Sequence, residues 1–426
     1  MKMDRECTVE KINIVMSTDE NYVIPTLVTL SSILTSSKKG TCFHVYILCD
    51  RNFNYACRDM LKKLEKKDDR IEFTFKEIHD SRLDKAVATA HISVASYYRL
   101  YISQMIEEER CLFIDGDMII RDDLSEVYNT DMENDYVAAV KDLGVQSHMS
   151  EYKEYADILH IPSMDDYVNV GFMLLNLNKI REDHVEHRMI EAIGSGCKYM
   201  DQDIINKCCY GKIKILSLKY DFFTEYYGSI AEKPPDGYSE EELSHIEERA
   251  CVLHFTGYFK PWICTRLKVN TLWWNEAGRV LDESVYRNIW EAALEAERKS
   301  DWSYIRGTAE KAEQVVVFGF SEIGKKVADH LLRSNVKSIA AFADNDKAKQ
   351  GMTYRGIPVI SAARLEDEYP NAFYIISSQN GFIPIKKQLN QMEINDCRII
   401  RYIHKDNTYY ARLDEKYMEY EKKMQG

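Results

Sequence analysis

The chain of 426 residues lacks four features that would assign it to particular protein classes. It has no run near the roughly 20 apolar residues of a membrane-spanning helix, and its charged first segment lacks the apolar core of a signal peptide. No C-x-x-C occurs among its 11 cysteines, so neither a disulfide framework nor a zinc knuckle is indicated. Acidic residues outnumber basic ones by 69 to 56, and the net charge of −13 disfavours nucleic acid as a partner.

The remaining composition is that of a globular protein, with 45% hydrophobic and 29% charged residues. It excludes a chain that is mainly disordered, collagen-like or a coiled coil. At about 100–200 residues per domain, the length predicts two domains and leaves room for a third. We expect a cytoplasmic protein with reduced cysteines. Such an acidic chain must hold any phosphate-bearing ligand through a metal or a few placed cations.

Strands and helices alternate along the first part of the sequence. β-rich runs occupy 11–16, 43–48, 71–75 and 111–114, and helical patterns lie between the first three. This alternation predicts an α/β fold with a mostly parallel sheet. Ligands of such sheets bind at the carboxyl ends of the strands, so polar residues that follow strands are candidate site residues.

A second α/β unit is predicted from about residue 312. A strand at 314–318 precedes Gly319 and Gly324, and a strand at 339–343 ends at Asp344. The charged helical stretch before this unit is interpreted as a linker. The predicted division is a first α/β domain at 11–275, a helical linker at 276–311, a smaller α/β domain at 312–405 and a charged tail at 406–426.

Asp115-Gly116-Asp117 is the sharpest local feature of the first domain. In an extended backbone, residues two apart point to the same side, so both carboxylates can hold one hard divalent cation. Gly116 permits a tight bend between them. Asp-Gly is also a common pair in solvated turns, so the tripeptide alone leaves both interpretations open.

His254 follows a predicted strand at 251–253 and offers an imidazole nitrogen to a manganese-type site. Gly257 presents backbone to a phosphate, and Lys260 supplies a point charge for the same anion. The alternative for a single histidine is a structural residue held by hydrogen bonds, and on its own that alternative is the more common one.

Two other segments resemble helix starts. Arg99 lies in the segment 91–100, where it reaches either a phosphate or carboxylate of a site or a partner in a surface ion pair. Asp201, Gln202 and Asp203 suit a first helical turn, because the helix dipole favours acidic residues there. Neither segment indicates a function by itself.

Taken together, six segments in a fixed order resemble glycosyltransferase family 8, which contains bacterial lipopolysaccharide galactosyl- and glucosyltransferases and glycogenin. The segments are 17–22, 91–100, 115–117, 169–171, 201–203 and 254–262, and the resemblance covers roughly residues 11–275. It implies a GT-A type nucleotide-diphospho-sugar transferase fold. It also implies transfer of a sugar, with retained anomeric configuration, from a nucleoside diphosphate donor, usually UDP.

The resemblance further implies the roles of individual residues. Asp115, Asp117 and His254 match the ligands of Mn²⁺, with Mg²⁺ as the alternative ion. The positions that match donor contacts are Ser17, Asp19 and Asn21 for uridine, Gly257 and Lys260 for the diphosphate, and Arg99, Asp142, Asn169, Asp201 and Gln202 around the sugar and phosphate. Gln202 and Asp201 are the candidate catalytic residues. An amide is a poor nucleophile, which favours front-face attack, and a covalent intermediate on Asp201 stays open.

The second domain looks like the Rossmann-type, CoA-binding-like modules of bacterial sugar-modifying proteins. Gly319, Gly324 and Asp344 are its candidate nucleotide-binding residues, although Phe318 stands where G-x-G-x-x-G has its first glycine. A domain without any ligand is the alternative. Two other functions stay open for the whole chain: an NAD-linked oxidoreductase acting through this domain, and an inert nucleotide-sugar-binding protein.

The resemblance also indicates the partners. It implies UDP-glucose or UDP-galactose as donor and a free or lipid-linked glycan as acceptor, in the synthesis of a bacterial surface polysaccharide or lipopolysaccharide. We expect no nucleic acid partner and no transmembrane segment. Association with the inner face of the membrane and formation of a homo-oligomer are left open.

Overall fold

The computed structural model describes residues 10–86, 94–152, 154–195, 197–230, 234–257, 259–334, 336, 338–378 and 381–403. His91, Tyr258 and the predicted tail lie outside the described residues. The chain packs into two compact units. The first comprises the described parts of Met1–Val87, Val94–Thr256 and Thr271–Glu283, and the second those of Gly257–Asn270 and Ser284–Gly426.

The described strands of the first unit form a large sheet and a small one. They are β1 (Glu10–Ser17), β2 (Thr41–Cys49), β3 (Ile71–Glu77), β4 (Arg110–Ile114), β5 (Met118–Ile120), β6 (Val137–Lys141), β7 (Val168–Asn176), β8 (Ile213–Ile215), β9 (Phe222–Phe223) and β10 (Val252–His254). The large sheet has the order β3-β2-β1-β4-β7-β6-β8, and the small one β5-β10-β9. The predicted α/β class is confirmed.

The centre of the large sheet is buried on both faces. Ile14 and Val15 of β1 and Leu112 and Phe113 of β4 are fully buried, as expected for parallel strands covered on each side. Strands β1 to β4 are parallel, whereas β7 runs antiparallel to both β4 and β6. The mostly parallel sheet predicted from the sequence therefore contains one reversed strand.

Helices of the first unit flank these strands. They are α1 (Val23–Ser36), α2 (Tyr55–Lys67), α3 (Ile102–Met105), α4 (Ser125–Tyr128), α5 (Leu143–Gln146), α6 (Met149–Tyr152), α7 (Tyr155–Leu159), α8 (Leu177–Glu182), α9 (Val185–Glu191), α10 (Met200–Cys208), α11 (Glu240–Leu243), α12 (Ile246–Arg249) and α13 (Asn270–Val280). Short 3₁₀ helices occupy Ser81–Lys85, Val94–Tyr101, Leu218–Tyr220 and Thr224–Tyr226. Arg99, predicted near a helix start, lies in the second of these.

The second unit is a smaller α/β sheet. Its described elements are α14 (Glu283–Lys299), α15 (Trp302–Ala309), β11 (Val315–Phe318), α16 (Glu322–Arg333), β12 (Ile339–Asp344), β13 (Thr353–Tyr354), β14 (Ile357–Ser361), α17 (Leu365–Glu368), β15 (Phe373–Ile376), α18 (Phe382–Gln391) and β16 (Ile399–Arg401), with a 3₁₀ helix at Ala362–Arg364 and another at Asp396–Arg398. The strand order is β13-β14-β12-β11-β15-β16, and only β13 pairs antiparallel among these strands. The Rossmann-type assignment of this domain stays a prediction.

Helices α14 and α15 cover most of the stretch predicted as a linker. Ile305 and Ala309 of α15 are buried in the same hydrophobic cluster as Val315 and Val317 of β11, so α15 contributes to the core of the second unit. None of the described helices combines the length and the apolarity that crossing a membrane requires.

Candidate active site

Polar residues collect at one edge of the large sheet because of its strand directions. The parallel strands β1 and β4 end there, at Ser17 and Ile114. Strand β6 also ends there, directly before Asp142, whereas the antiparallel β7 begins there and carries Asn169 as its second residue. The reversal of β7 therefore brings its start beside the ends of its two neighbours, β4 and β6.

Two acids and a histidine converge at this edge. Asp115 and Asp117 lie in the bend between β4 and β5, and His254 ends β10, which pairs with β5. One ligand atom of each of these three residues lies within 4.8 Å of the other two. Nε2 of His254 is 3.4 Å from Oδ1 of Asp117. Two carboxylates and one imidazole form a donor set that suits Mn²⁺, so the residues fit the predicted metal.

A glycine of β7 gives this cluster its space. A Cβ atom on Gly171 would lie 2.5 Å from Cε1 of His254 and 2.8 Å from Oδ2 of Asp115. The backbone N–H of Gly171 donates to Oδ1 of Asn169 at 2.8 Å, and its carbonyl accepts from the N–H of Asp115 at 2.8 Å. Any larger residue would displace one of the candidate ligands.

The second nitrogen of His254 contacts an acid that sequence reasoning missed. Nδ1 lies 2.8 Å from Oδ1 of Asp221, which is fully buried. Burial by itself lowers the pKa of His254, but the carboxylates of Asp221 and Asp117 outweigh it and raise the pKa to about 10. Asp221 belongs to none of the six segments, and only the pairing of β9 with β10 brings it to the histidine.

The candidate metal ligands are strongly affected by their surroundings. Burial raises the pKa of Asp115 to about 6, with a further contribution from Asp117 and an opposing one from Arg99. The hydroxyl of Tyr22 donates to Oδ2 of Asp117 at 3.3 Å, and burial raises the pKa of Tyr22 well above its usual value. Perturbed acids in one cluster are typical of functional sites.

Arg99 is buried against the same cluster. Its Nη2 lies 2.9 Å from Oδ1 of Asp115, and its Nε lies 3.0 Å from Oδ2 of Asp201. Nη1 donates to the carbonyl of Val170 at 2.6 Å, and the guanidinium carbon lies 4.4 Å from the centre of the Phe113 ring. The alternative interpretation of Arg99, as a residue in a surface ion pair, is therefore wrong.

Three amide and carboxylate side chains form a second polar group beside the first. Nε2 of Gln202 donates to Oδ2 of Asp142 at 3.0 Å, and Nδ2 of Asn169 contacts the same oxygen at 3.2 Å. Nδ2 of Asn169 also lies 3.1 Å from Oε1 of Gln202. The remaining oxygen of Asp142 caps α5 by accepting from the N–H of Val145. Asp201 and Gln202 lie in the first turn of α10, where they were predicted.

The predicted uridine residues lie at the end of β1 and in its connection to α1. Oδ1 of Asp19 accepts from the N–H groups of Asn21 and Tyr22 at 2.9 and 3.0 Å, so it holds this turn. The hydroxyl of Ser17 is buried without a hydrogen-bond partner in the part of the chain that the structure describes.

The predicted diphosphate residues belong to the second unit. Gly257 has a φ of +60°, and the side chain of Lys260 is buried. Their assignment to the diphosphate stays a prediction.

The candidate nucleotide residues of the second unit meet at the ends of β11 and β12. Gly319 has a φ of +109°, and a Cβ on Gly324 would lie 2.0 Å from the Gly319 carbonyl oxygen. Oδ2 of Asp344 accepts from the N–H of Phe320 at 2.8 Å and from Nζ of Lys349 at 3.2 Å. These contacts tie Asp344 to the glycine turn, and a ligand for the turn stays a prediction.

Comparison with known proteins decides the family. The model of "Glycosyl transferase family 8" matches residues 13–265, which is more than half of the chain. The chain belongs to glycosyltransferase family 8. A second family model, "C2185-like, N-terminal", matches residues 311–400 of this family 8 protein.

Two relatives of the family 8 protein are named as transferases. A "putative glycosyltransferase" of Haemophilus influenzae is 27% identical over 282 residues, which cover 64% of this chain and 81% of the relative. A "lipopolysaccharide 1,2-glucosyltransferase" of Escherichia coli is 27% identical over 265 residues, which cover 59% of this chain and 74% of the relative.

Solved structures of two transferases share the fold of the first unit. The bifunctional glycosyltransferase WbbM has a TM-score of 0.57 at 20% identity, over 67% of this chain and 52% of WbbM. The galactosyltransferase LgtC, solved with donor and acceptor sugar analogues, has a TM-score of 0.53 at 22% identity, over 65% of this chain and all of LgtC. The predicted GT-A fold is confirmed. The family 8 protein is a glycosyltransferase, with a nucleotide-sugar donor and a glycan acceptor.

Proposed function

We propose that this family 8 protein transfers a hexose from UDP-glucose or UDP-galactose to a hydroxyl group of a glycan, with retention of anomeric configuration and with Mn²⁺ or Mg²⁺. The observation that carries the proposal is the convergence of Asp115, Asp117 and His254 at the ligand-binding edge of the sheet. Relatives named as lipopolysaccharide 1,2-glucosyltransferases support a bacterial surface glycan, free or lipid-linked, as the acceptor. Synthesis at the inner face of the membrane is part of this proposal.

The metal-binding part of the proposal assigns Asp115, Asp117 and His254 as protein ligands. When bound there, a divalent cation neutralises the charge that develops on the β-phosphate of the leaving UDP. Arg99 holds Asp115 through the 2.9 Å contact of Nη2 with Oδ1, and its charge offsets part of the repulsion between the two buried acids. Its contact with the carbonyl of Val170 keeps the guanidinium in place.

Donor binding is assigned on the family resemblance. Ser17, Asp19 and Asn21 are proposed to bind uridine, and the unpartnered hydroxyl of Ser17 is consistent with a ligand contact. Gly257 and Lys260 are proposed to bind the diphosphate, where a fixed positive charge stabilises the leaving group.

The side chains around the sugar support front-face attack. Oδ2 of Asp201 is held by Nε of Arg99 at 3.0 Å, and this buried ion pair stabilises the carboxylate and makes it a weaker nucleophile. The bond from the anomeric carbon to the β-phosphate oxygen would break while the acceptor oxygen bonds the same face. The acceptor proton would pass to the departing phosphate. Asp142, Asn169 and Gln202 would orient the hexose through its hydroxyl groups.

A donor screen tests the reaction. Purified protein is incubated with Mn²⁺, a glycan acceptor and UDP-glucose, UDP-galactose or their N-acetylated counterparts, and the anomer of the product is read by NMR. We expect one hexose donor to dominate and the product to retain its configuration. Inversion, or transfer from none of these donors, would contradict the proposal.

A variant pair tests the metal assignment. Asp117→Ala should abolish Mn²⁺-dependent UDP binding and turnover, whereas the same change at the exposed Asp69 should leave both unchanged. Undiminished turnover of Asp117→Ala rules out the assignment.

A thermal unfolding assay separates the transferase from the NAD-linked oxidoreductase that the second domain left open. We expect UDP with Mn²⁺ to protect the protein from unfolding and NADH to give no protection.

A further inference from the structure

We infer that Asp221 is a positioning residue that keeps the hydrogen of the His254 ring on Nδ1, so that Nε2 presents its lone pair to the cation. The inference deepens the proposed function and rests on its metal site. Asp221 lies outside all six family segments and joins the site only in the folded chain.

The geometry places the imidazole between two carboxylates. Oδ1 of Asp221 is 2.8 Å from Nδ1 of His254, while Oδ1 of Asp117 is 3.4 Å from Nε2 on the opposite side of the ring. Asp221 and His254 are both buried, and Asp221 directly precedes β9, which pairs in parallel with β10. The short strand pair therefore sets the distance between the acid and the ring.

Packing fixes the plane of the His254 ring but does not determine which ring nitrogen carries the hydrogen. The Phe223 ring packs edge-on against His254 with a centroid distance of 5.6 Å, and Gly171 leaves room at Cε1. Such apolar contacts hardly distinguish which nitrogen carries the hydrogen. Only a hydrogen-bonding group can make that choice.

When it is ionised, Asp221 makes the choice in one direction. An ionised carboxylate has no hydrogen and can only accept, so the nitrogen that contacts Asp221 must carry one. In the neutral imidazole that a metal requires, the lone pair then belongs to Nε2, the nitrogen that faces Asp117. Histidine ligands of metals commonly donate their other N–H to a carboxylate in this manner.

The second oxygen of Asp221 adds no hydrogen bond to the stability of the fold. Oδ2 is buried and has no hydrogen-bond partner among the described residues. A buried carboxylate with an unsatisfied oxygen is destabilising, and an apolar side chain of similar volume would avoid that penalty. The contact with His254 is therefore the contribution of Asp221 that offsets this penalty.

NMR of the wild-type protein tests the tautomer directly. ¹¹³Cd²⁺ replaces Mn²⁺ because it is diamagnetic, the histidines carry ¹⁵N, and His254 is assigned by the signals missing from His254→Gln. We expect a ¹¹³Cd coupling to Nε2 and a hydrogen on Nδ1. Coupling to Nδ1 would overturn the inference. If neither Cd²⁺ nor Mn²⁺ binds to the wild-type protein, the metal assignment of the proposed function fails, and this inference fails with it.

Mn²⁺ affinity, measured from the EPR signal of the free ion, tests the role of Asp221. Asp221→Leu removes the acceptor but keeps the branched shape of the side chain, and it should weaken binding about 10–100-fold, as the loss of such partners usually does. Asp221→Asn retains an oxygen acceptor and should lose less Mn²⁺ affinity than Asp221→Leu. Asp123→Asn is the control, because Asp123 is a buried acid that accepts from the N–H groups of Lys38 and Ser125, away from the three candidate ligands.

A double-mutant cycle shows whether Asp221 acts through His254. In a His254→Ala background, Asp221→Leu should cause no further loss of Mn²⁺ affinity. An equal loss in both backgrounds, or a single Asp221→Leu variant within twofold of the wild type, would overturn the inference. If Asp221→Leu fails to fold by circular dichroism, the NMR result on the wild-type protein decides.

Discussion

Arg99 joins Asp115 to Asp201 through one buried guanidinium group, with contacts of 2.9 and 3.0 Å. Asp115 follows β4, Asp201 lies in the first turn of α10, and Arg99 comes from the 3₁₀ helix at Val94–Tyr101. A single cation thus connects a candidate metal ligand to a candidate catalytic residue. Its charge compensates part of the negative charge of both acids.

The first prediction concerns Arg99→Lys. Lysine retains the charge but has one nitrogen on a flexible stem, so it cannot reproduce the forked contact with Asp115 and Asp201. We expect Mn²⁺-dependent turnover to fall at least about tenfold, which corresponds to about 1.4 kcal/mol. Steady-state kinetics measure the change. Arg58→Lys, in a surface ion pair with Glu77, is the control, and an Arg99→Lys variant as active as this control would contradict the prediction.

Gly171→Ala tests the packing around the cluster. The new Cβ would approach both His254 and Asp115, at 2.5 and 2.8 Å, so at least one candidate ligand must move. We expect Mn²⁺ binding measured by EPR to be lost while the circular dichroism spectrum is retained. Gly307→Ala has open space around the new methyl group and should bind Mn²⁺ as the wild type does. Normal Mn²⁺ binding by Gly171→Ala would contradict the prediction, because it would show that the candidate ligands can move without loss of the ion.

Asp203 anchors the helix that carries Asp201 and Gln202. It is fully buried and accepts from the hydroxyls of Tyr155 and Tyr167, both at 2.6 Å, and from a backbone N–H at 2.7 Å. Asp203→Ala leaves three buried donors unsatisfied, and each such group costs about 1–3 kcal/mol.

We therefore expect Asp203→Ala to lower the free energy of unfolding in urea by about 3 kcal/mol or more. Tyr155→Phe removes a single donor and should have a smaller effect. Asp157→Ala, on the exposed face of α7, is the matched control. A midpoint for Asp203→Ala equal to that of Asp157→Ala would contradict this account of the helix anchor.

The sequence alone predicts the α/β class and the edge of the sheet at which polar residues collect. Both follow from local patterns: β-rich runs, and acids placed directly after them. Asp115 and Asp117 are close in the chain, and their side chains can be related by counting residues. His254 is a candidate ligand from its place after a predicted strand, but its grouping with Asp115 and Asp117 enters the prediction only through the resemblance to family 8.

The remaining site residues depend on contacts that local patterns do not contain. Asp221 reaches His254 through the pairing of β9 with β10, across 33 positions of the chain. Gly171 matters because β7 runs antiparallel, a direction that alternating strands and helices do not indicate. The same reversal explains why Asn169, at the start of a strand, lies beside Asp142, at the end of another.

The last prediction concerns the glycine turn of the second unit. Gly324→Ala would place a Cβ 2.0 Å from the carbonyl oxygen of Gly319, and this oxygen also accepts from the hydroxyl of Ser377 at 3.0 Å. The backbone between β11 and α16 must therefore shift. A substitution of Gly319 cannot easily relieve this strain, because its φ of +109° is a conformation that residues other than glycine rarely adopt.

Hydrogen exchange measured by mass spectrometry on the full chain tests this expectation. Gly324→Ala should accelerate exchange in peptides that contain β11, because the turn that follows this strand no longer packs against its end. Peptides that contain β1 report on the first unit and should be unchanged. Gly307→Ala, a helical glycine of the same unit with no atoms near the new methyl group, should leave β11 protected. Unaltered exchange of β11 in Gly324→Ala would show that the turn accepts a side chain, and the close approach to Gly319 would then have no structural consequence.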